Sequence, residues 1–87
     1  DSQLLSAGAL NEALEPALAA GLKTLTDTER AVLLLRAIGG LRYREISESL
    51  AIPLGSVMGN LSRARQKMRA LIARSARRNN LLKENRV

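Results

Sequence analysis

From Val57 to Ile72 the apolar residues Val57, Leu61, Ala64, Met68, Leu71 and Ile72 follow one another at intervals of 4, 3, 4, 3 and 1. Only an α-helix brings positions so spaced onto one side, and a single stripe of this kind has to be covered by other parts of the chain. The spacing predicts a long helix from about Leu54 to Arg77. Its start follows Ala51-Ile52-Pro53-Leu54, a four-residue turn, and Asn79-Asn80 marks its end.

Upstream, apolar residues again recur at helical spacing, and no stretch alternates as a half-buried strand does. Leu10, Leu14, Leu18 and Leu22 repeat every four residues with Leu25 three further on. Pro16 interrupts that first helix, so it either starts there or is kinked; a start near Glu12 to Glu15 is expected. Thr26-Asp27-Thr28-Glu29 has the spacing of a capping box and opens a second helix to about Ile38, burying Val32, Leu33, Leu35 and Ile38. Gly39-Gly40 stops it, because one glycine can adopt the left-handed conformation of a helix end. A third helix, about Arg42 to Leu50, buries Ile46 and Leu50. The expected fold is all-α: a four-helix domain containing a helix-turn-helix, with a long C-terminal recognition helix. The expected organisation is a linker or flexible N-terminus over 1–11, the domain over 12–78, and a tail over 79–87. The chain opens on Asp1, which points to a piece of a longer protein.

Composition narrows function. Cysteine and histidine are both absent, which removes disulfides, Cys/His zinc sites and His-based catalytic triads. No enzymatic constellation and no cofactor is expected. No 18-residue apolar run is present, so no membrane insertion is expected either, and the expected location is cytoplasmic. A membrane-surface role for the basic helix is disfavoured, because its apolar stripe is needed for the core and carries no Trp or Phe anchor. The net charge of +6 is unevenly placed: residues 1–48 hold five Lys/Arg against seven Asp/Glu, residues 49–87 nine against one. No acidic residue lies between Glu48 and Glu84. Such a division marks a half that faces a polyanion, or else an ordinary solvated basic face.

Stepping about 100° per residue from Val57 puts Gly59, Ser62, Arg63, Gln66 and Arg69 opposite the core, with Met58 at the edge of that face. Asn60, Arg65, Lys67 and Arg74 fall on its flanks. The first turns of the second helix in a helix-turn-helix meet base edges, whereas flanking cations and the helix start hold phosphates. The expected base-facing residues are therefore Met58, Gly59, Ser62, Arg63 and Gln66. Arg63 leads them, since a guanidinium can bond two acceptors on a guanine edge. The expected phosphate contacts are Arg42, Tyr43, Arg44, Gly55, Ser56, Asn60, Arg65, Lys67 and Arg69. Tyr43 is the only aromatic residue, which argues against single-strand binding by base stacking.

The run from Leu25 to Ile72 resembles region 4 of bacterial extracytoplasmic-function sigma factors. The resemblance rests on Leu25, Arg30, Val32 and Leu35-Arg36, then Gly40-Leu41, Tyr43 and Glu45-Ile46, then Pro53, Gly55, Val57, Leu61 and Arg63-Ala64-Arg65. It implies a domain that binds the double-stranded −35 promoter element, docks on the β flap of RNA polymerase, and is gripped by an anti-sigma factor. It also implies that residues 58, 59, 62 and 63 face bases, and that the apolar surface of the first three helices holds the flap or the anti-sigma. Ser56 stands where threonine is usual, Ala51 where a turn glycine is usual, Gly59-Asn60 where Ser-Arg is common, and Arg42 where serine often caps. Two other readings stay open: a sigma-like module that mainly binds a protein, and a LuxR-type output domain. The Leu25-Thr26 opening and Glu45-Ile46-Ser47-Glu48-Ser49-Leu50 favour the latter, while the Leu61-Ser62-Arg63-Ala64-Arg65 ending speaks against it.

Overall fold

The computed structural model describes residues 7–78 and contains four α-helices in chain order: α1 (Ala7–Thr24), α2 (Asp27–Ala37), α3 (Tyr43–Leu50) and α4 (Leu54–Arg78). The 79–87 tail and residues 1–6 of the expected N-terminal linker lie outside the described residues, as does the Leu10 side chain. The described chain divides into two compact units, residues 25–67 and the segments on either side of them.

The first unit holds the helix-turn-helix. Val32 from α2, Ile46 from α3, and Val57 and Leu61 from α4 form its core, and the first three are fully buried. Leu33, Leu35, Leu41, Tyr43, Leu50 and Ile52 pack around them half-buried. Small β-branched and γ-branched side chains suit so small a core, since few rotamers have to be frozen to fill it. Ile38 departs from expectation: it is 81% exposed, not buried. It caps the C-terminus of α2 one residue beyond the helix, where the chain already turns away towards Gly39.

Each helix end has a local cause. Thr26 is extended at the start of α2 and its hydroxyl accepts from the Glu29 amide at 3.1 Å, while the Glu29 carboxylate accepts from the Thr26 amide at 3.0 Å. That is the expected capping box, and it satisfies donors a helix start otherwise leaves open. At α3 the box is only half made. Arg42 has no side-chain acceptor, so Glu45 alone reaches back, accepting from the Arg42 amide at 2.7 Å. Gly40 takes the left-handed conformation after α2, at φ 68°.

The turn between α3 and α4 is pinned at both edges. The Ser47 hydroxyl donates to the Ile52 carbonyl at 2.5 Å, and the Ile52 amide returns to the Ser47 carbonyl at 3.1 Å. Between them Ala51 sits at φ 56°, ψ 45°, the left-handed region where a Cβ crowds its own backbone. The two Ser47–Ile52 hydrogen bonds that flank it hold the residue in that conformation.

The second unit pairs α1 with the end of α4. Ala17 and Gly21 are buried here along with Met68 and Ser75. A Cβ on Gly21 would lie 2.6 Å from the Met68 sulfur, so the missing side chain leaves the thioether its space. The α1 start corrects the expectation: the helix opens at Ala7 rather than at Glu12 to Glu15, and runs through Pro16. Proline removes one helical hydrogen bond, to the carbonyl of residue 12. Both Glu12 and Pro16 are exposed, so water can serve that carbonyl, and the alanine- and leucine-rich flanks favour helix on either side.

Replacing Ala51 by glycine is expected to stabilise the protein by roughly 0.5–1 kcal/mol, the relieved left-handed strain less the greater freedom of the unfolded glycine. A rise in the urea midpoint with an unchanged slope checks this; a fall means the site is not strained.

Candidate nucleic-acid interface

The sequence of α4 places two chemistries on two sides. Its core side holds Val57, Leu61, Ala64 and Met68, all buried, while Ser62, Arg63, Arg65, Gln66 and Arg69 are exposed on the other. Met58 is 49% exposed at the edge. Gly59, Asn60 and Lys67 are intermediate. Ser62, Arg63 and Gln66 thus lie on one open face in the third and fourth turns of the helix, with Met58 at its edge and Gly59 half-buried.

Their surroundings were not expected. Glu29, the capping glutamate of α2, is buried, and its carboxylate serves α4 as well as its own helix. Lys67 donates to Oε1 at 2.7 Å, and Arg63 Nε lies 3.4 Å from Oε2. One carboxylate therefore accepts from the Thr26 amide, anchors a lysine and faces an arginine. Each partner keeps substantial access to solvent, at 57% for the Arg63 side chain and 40% for that of Lys67. The face of α4 is basic, but two of its cations share a counter-ion.

Gly59 takes part in the same arrangement. A Cβ built there would sit 3.3 Å from Arg63 Nη1 and 3.7 Å from Nη2, so the guanidinium lies back along the helix across the bare backbone of the preceding turn. The mid-helix glycine costs about 1 kcal/mol in helix propensity, yet it leaves this arginine room.

The expected phosphate contacts fall into several groups. Arg42, Arg44, Arg65 and Arg69 are exposed side chains. Lys67 reaches solvent only from its pair with Glu29. The Asn60 amide donates to the Ser56 carbonyl at 2.8 Å, which ties it to its own helix. Tyr43 packs its ring against the core with the Arg36 guanidinium 5.1 Å from the ring centroid, and Arg36 also donates to the Leu41 carbonyl at 2.9 Å. At the start of α4 the Ser56 amide turns back to the Pro53 carbonyl at 2.9 Å, and the Val57 amide joins it at 3.1 Å. Gly55 is exposed with open space where a Cβ would be, so the backbone there can be approached closely.

The electrostatics centre on Glu29. Its pKa is lowered, chiefly by the Lys67 hydrogen bond and next by the Thr26 amide; burial opposes the shift, and the charges of Lys67 and Arg63 add to it. A depressed folded pKa stabilises the fold above the ordinary carboxylate range, and this contribution is lost as pH falls from there through the folded value. Wild-type stability is therefore expected to fall more steeply below that range than that of Glu29→Gln, which cannot titrate. Urea midpoints measured across acid pH check this, and parallel profiles contradict it.

Among the described residues no helix is long and apolar enough to cross a membrane. No solved structure matches the chain. The family model described as sigma-70, region 4, matches residues 17–68, more than half of the 87 residues. The matched span contains the capping box, the helix-turn-helix and the exposed basic face of α4 as far as Lys67. The chain belongs to the sigma-70 region 4 family, the promoter-recognition module of sigma factors.

Proposed function

We propose that this domain recognises the −35 promoter element as region 4 of an extracytoplasmic-function sigma factor, with residues 12–78 as the functional domain. The observation that carries the reading is the exposed face of α4. Ser62, Arg63 and Gln66 stand there in the third and fourth turns of the second helix of a helix-turn-helix, with Arg65 and Arg69 alongside. An α-helix presented this way fits the width of a major groove, and an arginine fork suits a guanine edge. Arg42, Arg44 and the Gly55 backbone supply phosphate contacts beside it, supported by their exposure. Met58 adds an apolar edge suited to a thymine methyl group.

Partners beyond DNA follow from the same reading. The β flap of RNA polymerase and an anti-sigma factor are the proposed protein partners, supported by membership of the region 4 family. A protein that acts on promoters in a bacterium works in the cytoplasm. The family match favours region 4 over a LuxR-type output domain.

The test is selection from a randomised duplex pool. A defined sequence is expected to be enriched. Arg63→Ala is expected to lose about 1–3 kcal/mol on that sequence and to relax preference at one or two adjacent base pairs. Equal losses on selected and random duplexes would remove Arg63 from base reading. If no sequence is enriched while a flap-derived peptide binds tightly, the domain is primarily a protein-interaction module.

A further inference from the structure

We propose that Glu29 is a specificity-determining positioning residue: from α2 it faces Arg63 and pairs with Lys67 of α4, so that Arg63 is positioned for base discrimination while the attraction of Lys67 for phosphate is reduced. The proposal rests on the promoter-reading function and concerns a residue on a different helix from the reading face.

Four observations converge on it. Glu29 is 3% exposed, and a buried carboxylate is stable only when its lone pairs and charge are answered. Thr26, Lys67 and Arg63 answer it from two helices. Arg63 faces it through Nε, at 3.4 Å, which leaves the terminal Nη1 and Nη2 to present a fork elsewhere. Those terminal nitrogens lie across Gly59, where a Cβ would come within 3.3 Å of Nη1. The carboxylate restrains the guanidinium at Nε, while the missing side chain at Gly59 gives its far end room to lie back on the helix. An arginine held in one pose before binding loses less entropy on meeting a base and tolerates the wrong base less well.

The charge effect points the same way. Two cations on a groove-facing helix attract any duplex, because each phosphate neutralised releases counterions whatever the sequence. With one carboxylate shared between them, the pair carries a net charge near +1. Random and selected duplexes alike gain less from such a pair, whereas only a correctly placed guanine meets the Arg63 fork. A negative group behind a reading arginine thus lowers background affinity and leaves geometric recognition in place.

Glu29→Gln isolates this role. Glutamine at the third helical position can still accept from the Thr26 amide, so the capping box survives while the charge goes. Binding of wild type and Glu29→Gln to the selected duplex and to a random duplex, each across a salt series, provides the test. For Glu29→Gln the random duplex should bind more tightly and the dependence of log K on log[salt] should steepen by up to about 0.9. The ratio of selected to random affinity should fall about five-fold or more. Unchanged slopes and ratio overturn the proposal while leaving promoter reading intact; a wild type that enriches no sequence overturns both. Should Glu29→Gln not fold, Arg63→Lys gives a second reading. It keeps the charge but loses the Nε contact and the fork, so the salt slope should hold while the ratio falls by a similar factor. An unchanged ratio for Arg63→Lys also overturns the proposal.

Discussion

The buried carboxylate of Glu29 links the two things this domain has to do. As a capping residue it closes the start of α2, and α2 supplies Val32 to the core on which α4 rests. As a counter-ion it meets Lys67 and Arg63 on α4, and so ties the orientation of the basic face to the same helix start. A charge is expensive to bury and more expensive to leave unpaired. The local cap and the long-range pair are therefore mutually dependent: loss of either leaves the carboxylate short of partners in a place with little water to replace them.

A second constraint sets the geometry. The turn from α3 to α4 closes on Ala51 in a left-handed conformation that glycine adopts more easily. The Ser47 hydroxyl and the Ile52 carbonyl lock that turn from the inside. Beyond it, α4 begins at Leu54 with the exposed Gly55 backbone, and its first buried contact is Val57. Strain at one residue is the consequence of fixing where the reading helix starts. The same logic applies at Gly59, where helix propensity gives way to space for Arg63.

Much of the fold was legible in the sequence because its signals are local. The α4 stripe, the Thr26 to Glu29 capping box and the glycine stop after α2 each depend on residues a few positions apart, and each is present. Where sequence and structure part, two local signals compete. Pro16 looked like a helix start, but alanine and leucine on both sides carry α1 back to Ala7, with the freed carbonyl region open to water. Ile38 continued an apolar pattern past the point where the backbone leaves the helix, and it is exposed. At the interface, the wheel of α4 separates the buried Val57, Leu61, Ala64 and Met68 from the exposed Ser62, Arg63, Gln66 and Arg69, whereas Gly59 on the far face and Leu71 and Ile72 on the stripe are half-buried. The Glu29 contacts were not legible, since Lys67 lies 38 residues away and the glutamate was already accounted for as a cap. The absence of acids between Glu48 and Glu84 made the basic face look uncompensated, although its counter-ion comes from α2. The cap itself gave no signal of burial, since Glu45 caps α3 in the same way and is exposed.

Glu29 acts on DNA discrimination through Arg63, the residue it faces from α2. The most direct measurement is a double-mutant cycle of Glu29→Gln and Arg63→Ala, scored on the ratio of selected to random duplex affinity. If Glu29 works by positioning Arg63, then Glu29→Gln changes that ratio in the wild-type background and leaves it unchanged once Arg63 is alanine. Equal effects in both backgrounds would contradict the account and make Glu29 a structural cap with no share in recognition.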